Sequence, residues 1–139
     1  MKQTNCILTN RDIELRLREA GLQATAQRIA ICRYVLCEAK HPTAEQVKDW
    51  VDKTFPKMSL ATVYNTMNAL VRCGLIRELA LPHTSCTVYD NNMSLHHHFV
   101  DENTGAIIDL SPDEVQVELK LKKSLNIREI QVILKGGAA

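Results

Sequence analysis

An α+β chain, with helices gathered in its front half and strands in its back half, is what this sequence predicts. Three observations carry that expectation. Four stretches before Gly74 repeat apolar residues at helical spacing and are bounded by capping residues. The period then shortens over residues 75–90, LIRELALPHTSCTVYD, where two runs rich in apolar and β-branched residues flank Pro82-His83-Thr84-Ser85. Beyond residue 95, two further β-rich runs flank the turn sequence DENTG.

Each element has its own signal. From Arg11 to Ala20, apolar Ile13, Leu15, Leu17 and Ala20 alternate with charge, and Gly21 suits a helix C-terminus. TAQRIAICRYVLCEA opens on Thr25 as N-cap and carries Ile29, Cys32, Val35 and Leu36 as a stripe. HPTAEQVKDWVDKTFP pairs Thr43 with Gln46 in a capping box, and Val47, Trp50 and Val51 form one face. SLATVYNTMNALVRCG has Ser59 as N-cap, apolar Val63, Met67, Leu70 and Val71, and a closing Gly74. The hairpin follows directly. Helices in this order before a hairpin describe a winged helix-turn-helix, in which the helix preceding the hairpin enters the major groove.

The polar NNMS (91–94) reads as a hinge. After it come a strand around His98-Phe99-Val100 and a strand around Ala106-Ile107-Ile108. SPDEVQVELKLKKSL begins with Ser111 as N-cap and Pro112 at N1, which predicts a helix, although its V-x-V-x-L-x-L spacing also fits a strand. IREIQVILKG reads as a last strand. The expected organisation is a winged-helix domain over 1–89, a hinge over 90–94, and a β-β-α-β dimerisation and metal-binding domain over 95–139. So small a unit needs a metal or a partner chain, which predicts a homodimer.

Composition narrows the function classes. A chain of 139 residues with 45% apolar and 24% charged residues is ordinary globular protein. No apolar run reaches the roughly 18–20 residues that span a bilayer, and the polar start MKQTNCILTNRDIEL does not resemble a secretory signal. A cytoplasmic location with no membrane partner is therefore expected. Residues 1–80 hold 12 Lys and Arg against 8 Asp and Glu, a net of +4, and the remainder 5 against 8, a net of −3. A mildly basic front half is compatible with a polyanion such as double-stranded operator DNA. Five scattered cysteines without a C-x-x-C pair suggest buried reduced thiols.

The histidines hold the chemistry. Three of the five are consecutive, His96-His97-His98. A strand alternates its faces, so His96 and His98 project to one side and His97 to the other. Asp109 can lie opposite them, Asp90 closes the hairpin, and His41 precedes a helix. Three imidazoles and two carboxylates suit Fe(II), Mn(II) or Zn(II). The same residue types also describe a non-haem iron enzyme, or a solvated run of histidines. Nothing else in the chain suggests a substrate pocket, so an enzyme is not expected.

Taken in order, GLQATAQR, HPTAEQV, PKMSLATVYNTMNALVRCGLIREL, VYD and HHHFV with the following IIDL resemble the ferric uptake regulator family along nearly the whole chain. That resemblance implies a dimeric, metal-dependent winged-helix repressor. Its peroxide-sensing (PerR-like) branch implies a regulatory Fe(II) or Mn(II) site of His41, Asp90, His96, His98 and Asp109, with Zn(II) possible in the same place. Asp90 and Asn65 are closer to this branch than to the iron-uptake repressors. For DNA, Ser59 and Thr62 are placed to meet phosphate, Tyr64 and Asn65 base edges, and Arg28 the backbone or minor groove. Two departures stand out. The first C-x-x-C pair of the family falls here on Asp101 and Thr104, and no second pair follows, so no structural zinc held by four cysteines is expected. The iron-response (Irr-like) regulators share that lack and an HHHF run, which keeps an iron- or haem-responsive regulator as the alternative; haem belongs only to that reading.

Overall fold

The computed structural model describes residues 8–81 and 87–137. It resolves into two compact units, one up to Met93 and one from Ser94. The turn read from Pro82 to Ser85, together with Cys6 and Cys86, lies outside the described residues.

The first unit holds four helices and a two-stranded sheet: α1 (Asn10–Glu19), α2 (Ala26–Cys37), α3 (Ala44–Asp52), α4 (Leu60–Arg72), β1 (Arg77–Leu79) and β2 (Val88–Asp90). Every helix starts where a short side chain can take the backbone N–H three residues on: Thr9, Thr25, Thr43 and Ser59 do this in turn. Thr9 with Asp12 and Thr43 with Gln46 complete reciprocal capping boxes. Gly21 and Gly74 follow α1 and α4 at φ 82° and 73°, a backbone state that glycine enters without a Cβ clash. The apolar stripes meet in one core of Ile13, Leu17, Ile31, Cys32, Val35, Val47, Val51, Val63, Met67, Leu70, Ile76 and Tyr89. Trp50 and Phe55 pack against it, and Trp50 stacks on Tyr34 with ring centroids 4.2 Å apart. β1 and β2 pair antiparallel from Arg77↔Asp90 to Leu79↔Val88, forming the hairpin that the sequence predicts after α4. That pairing makes Asp90, read as the first hinge residue, a strand residue of this unit.

The second unit is a three-stranded sheet of order β4-β3-β5, built from β3 (His97–Asp101), β4 (Ile107–Leu110) and β5 (Ile133–Gly136). β3 runs antiparallel to β4 and parallel to β5. The helix expected from Ser111 does not form. Residues 115–132 carry neither helix nor strand, although Glu114 donates its backbone N–H to the Ser111 carbonyl in a single turn. The physical reason lies in the spacing. Val115, Val117, Leu119 and Leu121 alternate with period 2, so a helix would scatter them around its circumference with no apolar stripe to bury.

The thiols divide. Cys32 and Cys73 are free, as expected, but Cys37 is disulfide-bonded. An odd count without C-x-x-C spacing does not exclude a pair between positions distant in sequence, and the expectation of reduced thiols fails at Cys37.

Candidate metal-ligand clusters and nucleic-acid face

In the first unit, His41 and Asp90 come together from distant parts of the chain. His41 follows the end of α2 with φ 48°, the single described non-glycine residue with positive φ. The chain reverses there, and the next residue, Pro42, accepts a hydrogen bond from the Tyr89 backbone N–H at 2.9 Å. Thr43 bridges to Val88. These links bring the His41 ring to the last residue of β2, with Nε2 3.8 Å from Asp90 Oδ2. Both side chains are largely buried, 11% and 3% exposed, which is uncommon for a carboxylate without a strong partner. Asp90 Oδ1 accepts from Asn92 N–H at 2.9 Å, leaving the other oxygen toward the imidazole.

In the second unit, strand geometry collects three donors. His98 pairs directly across from Asp109. His96 lies on the same face two residues earlier, its ring centroid 4.6 Å from that of His98. Nε2 of His98 and of His96 are 3.6 and 3.8 Å from the same oxygen, Asp109 Oδ1. His96 Nδ1 is 2.7 Å from the Ser94 carbonyl, a contact that places its proton on Nδ1 and presents the Nε2 lone pair to the cluster. Both histidines are buried.

The donor chemistry fits a divalent ion of intermediate softness: imidazole nitrogens and carboxylate oxygens, with no thiolate among them. All the pair separations exceed the 2.7–3.2 Å typical of N–H···O hydrogen bonds. Two ligand atoms about 2.1 Å from one ion stand roughly 3.0–3.6 Å apart at angles of 90–120°. The observed 3.6 Å falls at the wide end of that spacing and the 3.8 Å just beyond it.

His97, which alternation turns to the side opposite His96 and His98, is 5% exposed. Its Nδ1 accepts the Val132 backbone N–H at 3.1 Å, just before β5 begins. Alternation puts its ring on the correct face, but says nothing of the third strand that covers that face.

Of the DNA residues proposed from sequence, Ser59, Thr62, Tyr64 and Asn65 lie on α4 or cap it. Ser59 and Thr62 share a hydroxyl contact of 3.0 Å at its exposed N-terminus. Asn65 is exposed, whereas Tyr64 is half-buried and donates its hydroxyl to Glu45 Oε2 on α3 at 3.1 Å. Arg28 lies on α2 with Nη1 donating to the Gln23 carbonyl at 3.1 Å and Nε buried without a partner, so it is not a freely extended arm. One residue escaped the sequence reading. Asn68 is exposed, and its i, i+3 spacing from Asn65 sets both on one helix face.

A winged helix in one unit, a histidine-rich sheet in the other and paired imidazole–carboxylate clusters in each define a class: two-unit helix-turn-helix proteins with metal-ligand chemistry outside the reading helix. The sequence model of the ferric uptake regulator family matches residues 19–135, and the chain belongs to that family. It is 37% identical over 93 residues to the "Peroxide-responsive repressor PerR" of Staphylococcus aureus, a match spanning 67% of this chain and 62% of that protein's length. Among solved structures it is similar to PerR from Streptococcus pyogenes, with TM-score 0.54 and 27% identity over 99% of this chain and 96% of that one. The Campylobacter jejuni peroxide stress regulator gives a TM-score of 0.65 and 25% identity over 96% and 98%. The Pseudomonas aeruginosa ferric uptake regulator with manganese, at 24% identity and TM-score 0.68 over 91% and 97%, shares the fold. Among the described residues, no helix is long and apolar enough to cross a membrane.

Proposed function

We propose that this chain is a metal-dependent, DNA-binding transcriptional repressor whose Fe(II) or Mn(II) site controls operator binding and senses peroxide through oxidation of a ligand. The observation that carries the reading is that each cluster is an incomplete coordination sphere. His41 and Asp90 supply two donors, and His96, His98 and Asp109 supply three. Five donors together would hold one divalent ion such as Fe(II) or Mn(II), which take oxygen and nitrogen ligands. A single ion held by both sets would tie the winged-helix domain, which β2 extends to Asp90, to the dimerisation domain, 95–139. Occupancy then favours the DNA-competent arrangement by its differential affinity for it.

The family consists of transcriptional regulators rather than enzymes, and the Staphylococcus aureus relative is named for its peroxide response. Bound Fe(II) supplies the one-electron chemistry that reduces hydrogen peroxide, whereas Mn(II) does not react this way. The chain's part is to hold an oxidisable imidazole, His41 or His96, beside that chemistry. An imidazole oxidised at a ring carbon, with one peroxide oxygen added to the ring and the other leaving as water, would be a poorer nitrogen donor, would lower the affinity for the ion and would release the repressor from its operator. Ser59 and Thr62 take phosphate at the start of α4, Tyr64, Asn65 and Asn68 face the bases, and Arg28, on giving up its bond to the Gln23 carbonyl, reaches the backbone or minor groove. The DNA-bound form is a homodimer.

The reading is tested by operator-binding anisotropy with Mn(II), with Fe(II), and with Fe(II) plus peroxide. Tight binding in the first two and loss in the third is the expected result. Binding that ignores all three additions overturns it. A second reading, an iron- or haem-responsive regulator, is favoured by Asp101 and Thr104 standing where the family places a cysteine pair, and it predicts release by haem rather than peroxide.

A further inference from the structure

The His41–Asp90 pair depends on a segment that lies outside regular secondary structure. Residues 39–43 form neither helix nor strand, and His41 adopts a left-handed backbone that disfavours residues with a Cβ. One end of the segment is tied by Tyr89 N–H to the Pro42 carbonyl. The other end is tied by the Ala39 N–H, which donates to the Tyr34 carbonyl at 2.9 Å, and by one side chain. Asn91 Nδ2 lies 2.9 Å from the Val35 carbonyl, 3.3 Å from that of Leu36 and 3.3 Å from that of Ala39. Val35 and Leu36 belong to the last turn of α2, whose carbonyls lack helical partners. An amide with two N–H donors therefore closes a helix end and grips Ala39, two residues before His41.

Asn91 also follows Asp90 directly. The same residue thus fixes both members of the pair: through Ala39 it sets the start of the His41 turn, and through the chain it sets where β2 ends. We propose that Asn91 is a positioning residue for this half of the metal site, holding the His41 imidazole and the Asp90 carboxylate in register without being a ligand. This rests on the reading of His41 as a ligand. Supporting residues of this kind change metal affinity by about 10–100-fold when removed.

The test is a double-mutant cycle on the full chain, with Mn(II) affinity read from the electron paramagnetic resonance signal of the free ion and the metal-free unfolding temperature recorded alongside. Asn91→Ala weakens Mn(II) binding about 10-fold or more. In the His41→Ala background the same change costs clearly less than in the wild type, because only the Asp90 carboxylate is left to position. Wild-type affinity in Asn91→Ala overturns the inference, as does an equal loss with and without His41, which marks a general loosening. Undiminished Mn(II) binding by His41→Ala sinks the ligand reading itself, a result separable from either. If Asn91→Ala does not fold, Asn91→Leu removes the donors while keeping side-chain volume, and the cycle is read in the same way.

Discussion

Two single residues show how far backbone and burial set the chemistry. His41 occupies φ 48°, where most side chains cost about 1–2 kcal/mol. Asn tolerates that conformation through local hydrogen bonding, whereas a β-branched residue does not. His41→Asn should leave the metal-free unfolding temperature within a few degrees of wild type while metal-stimulated operator binding disappears. His41→Val should lose both. If the two variants unfold alike, the turn tolerates any residue and its conformation carries no selection for His. Cys32 offers a different lever. Burial, reinforced by the nearby Cys73, pushes its thiol from 9.0 up to about 12. Between those values the unfolded chain gives up the proton and the folded chain keeps it, so stability falls as pH rises, by up to about 1.4 kcal/mol per unit. Tyr89, raised from 10.0 to about 12 chiefly by burial, acts in the same direction. Urea unfolding at pH 8 and 10.5 should show the decline, and Cys32→Ala should flatten it.

At the scale of elements, what can be read from sequence is whatever is locally encoded. Thr25, Thr43 and Ser59 announce their helices because an N-cap and an apolar stripe act within a few residues. Gly74 and the shift to period 2 announce the hairpin for the same reason. Thr9 announces its helix less clearly, because its partner Asp12 makes the capping box from the less usual residue type. The helix at Ser111 was misread because a cap and Pro112 are permissive signals, and they cannot impose a helix on a period-2 apolar pattern. The pairing of His96, His98 and Asp109 followed from alternation. The burial of His97 did not, since it depends on β5, more than thirty residues further on. The turn at Asp101 shows the same local logic. Its Oδ1 accepts Asn103 N–H at 2.9 Å and Thr104 N–H at 3.3 Å, and Thr104 Oγ1 accepts Ala106 N–H at 3.2 Å. Hydrogen bonds thus close the β3–β4 turn at the positions where the family usually has cysteines. Asp101→Ala should cost about 1 kcal/mol in chemical unfolding, and a chelator should leave the unfolding curve of the wild type, prepared without added metal, unmoved. On α4, Asn68→Ala should weaken operator binding by about 1–3 kcal/mol without altering its salt dependence, the mark of a base rather than a phosphate contact.

The molecule as a whole has an imbalance that one chain does not resolve. The first unit buries most of its apolar residues in a continuous core and leaves Leu15, Leu60 and Met93 exposed, whereas the smaller second unit leaves Val117, Leu119, Leu121, Leu125, Ile127 and Leu134 each more than 40% exposed. Ile108 on the edge strand β4 is exposed as well. Scattered surface leucines are ordinary, but this many within one small unit exceed what monomeric proteins usually leave in water. The alternation from Val115 to Leu121 that fails to make a helix is the pattern of a strand with one apolar face, and a strand finds its hydrogen bonds in a neighbour. A second copy of the chain supplies such a neighbour by symmetry, and a two-fold axis would also set two reading helices at half-site spacing on DNA. Leu119→Glu with Leu121→Glu should therefore convert a dimer into a monomer in sedimentation equilibrium and abolish operator binding. The first unit's near-ultraviolet signal from Trp50 should persist, since its stacking on Tyr34 is made entirely within that unit. A double variant that remains dimeric and still binds its operator would place the subunit contact elsewhere and leave this apolar surface without a role.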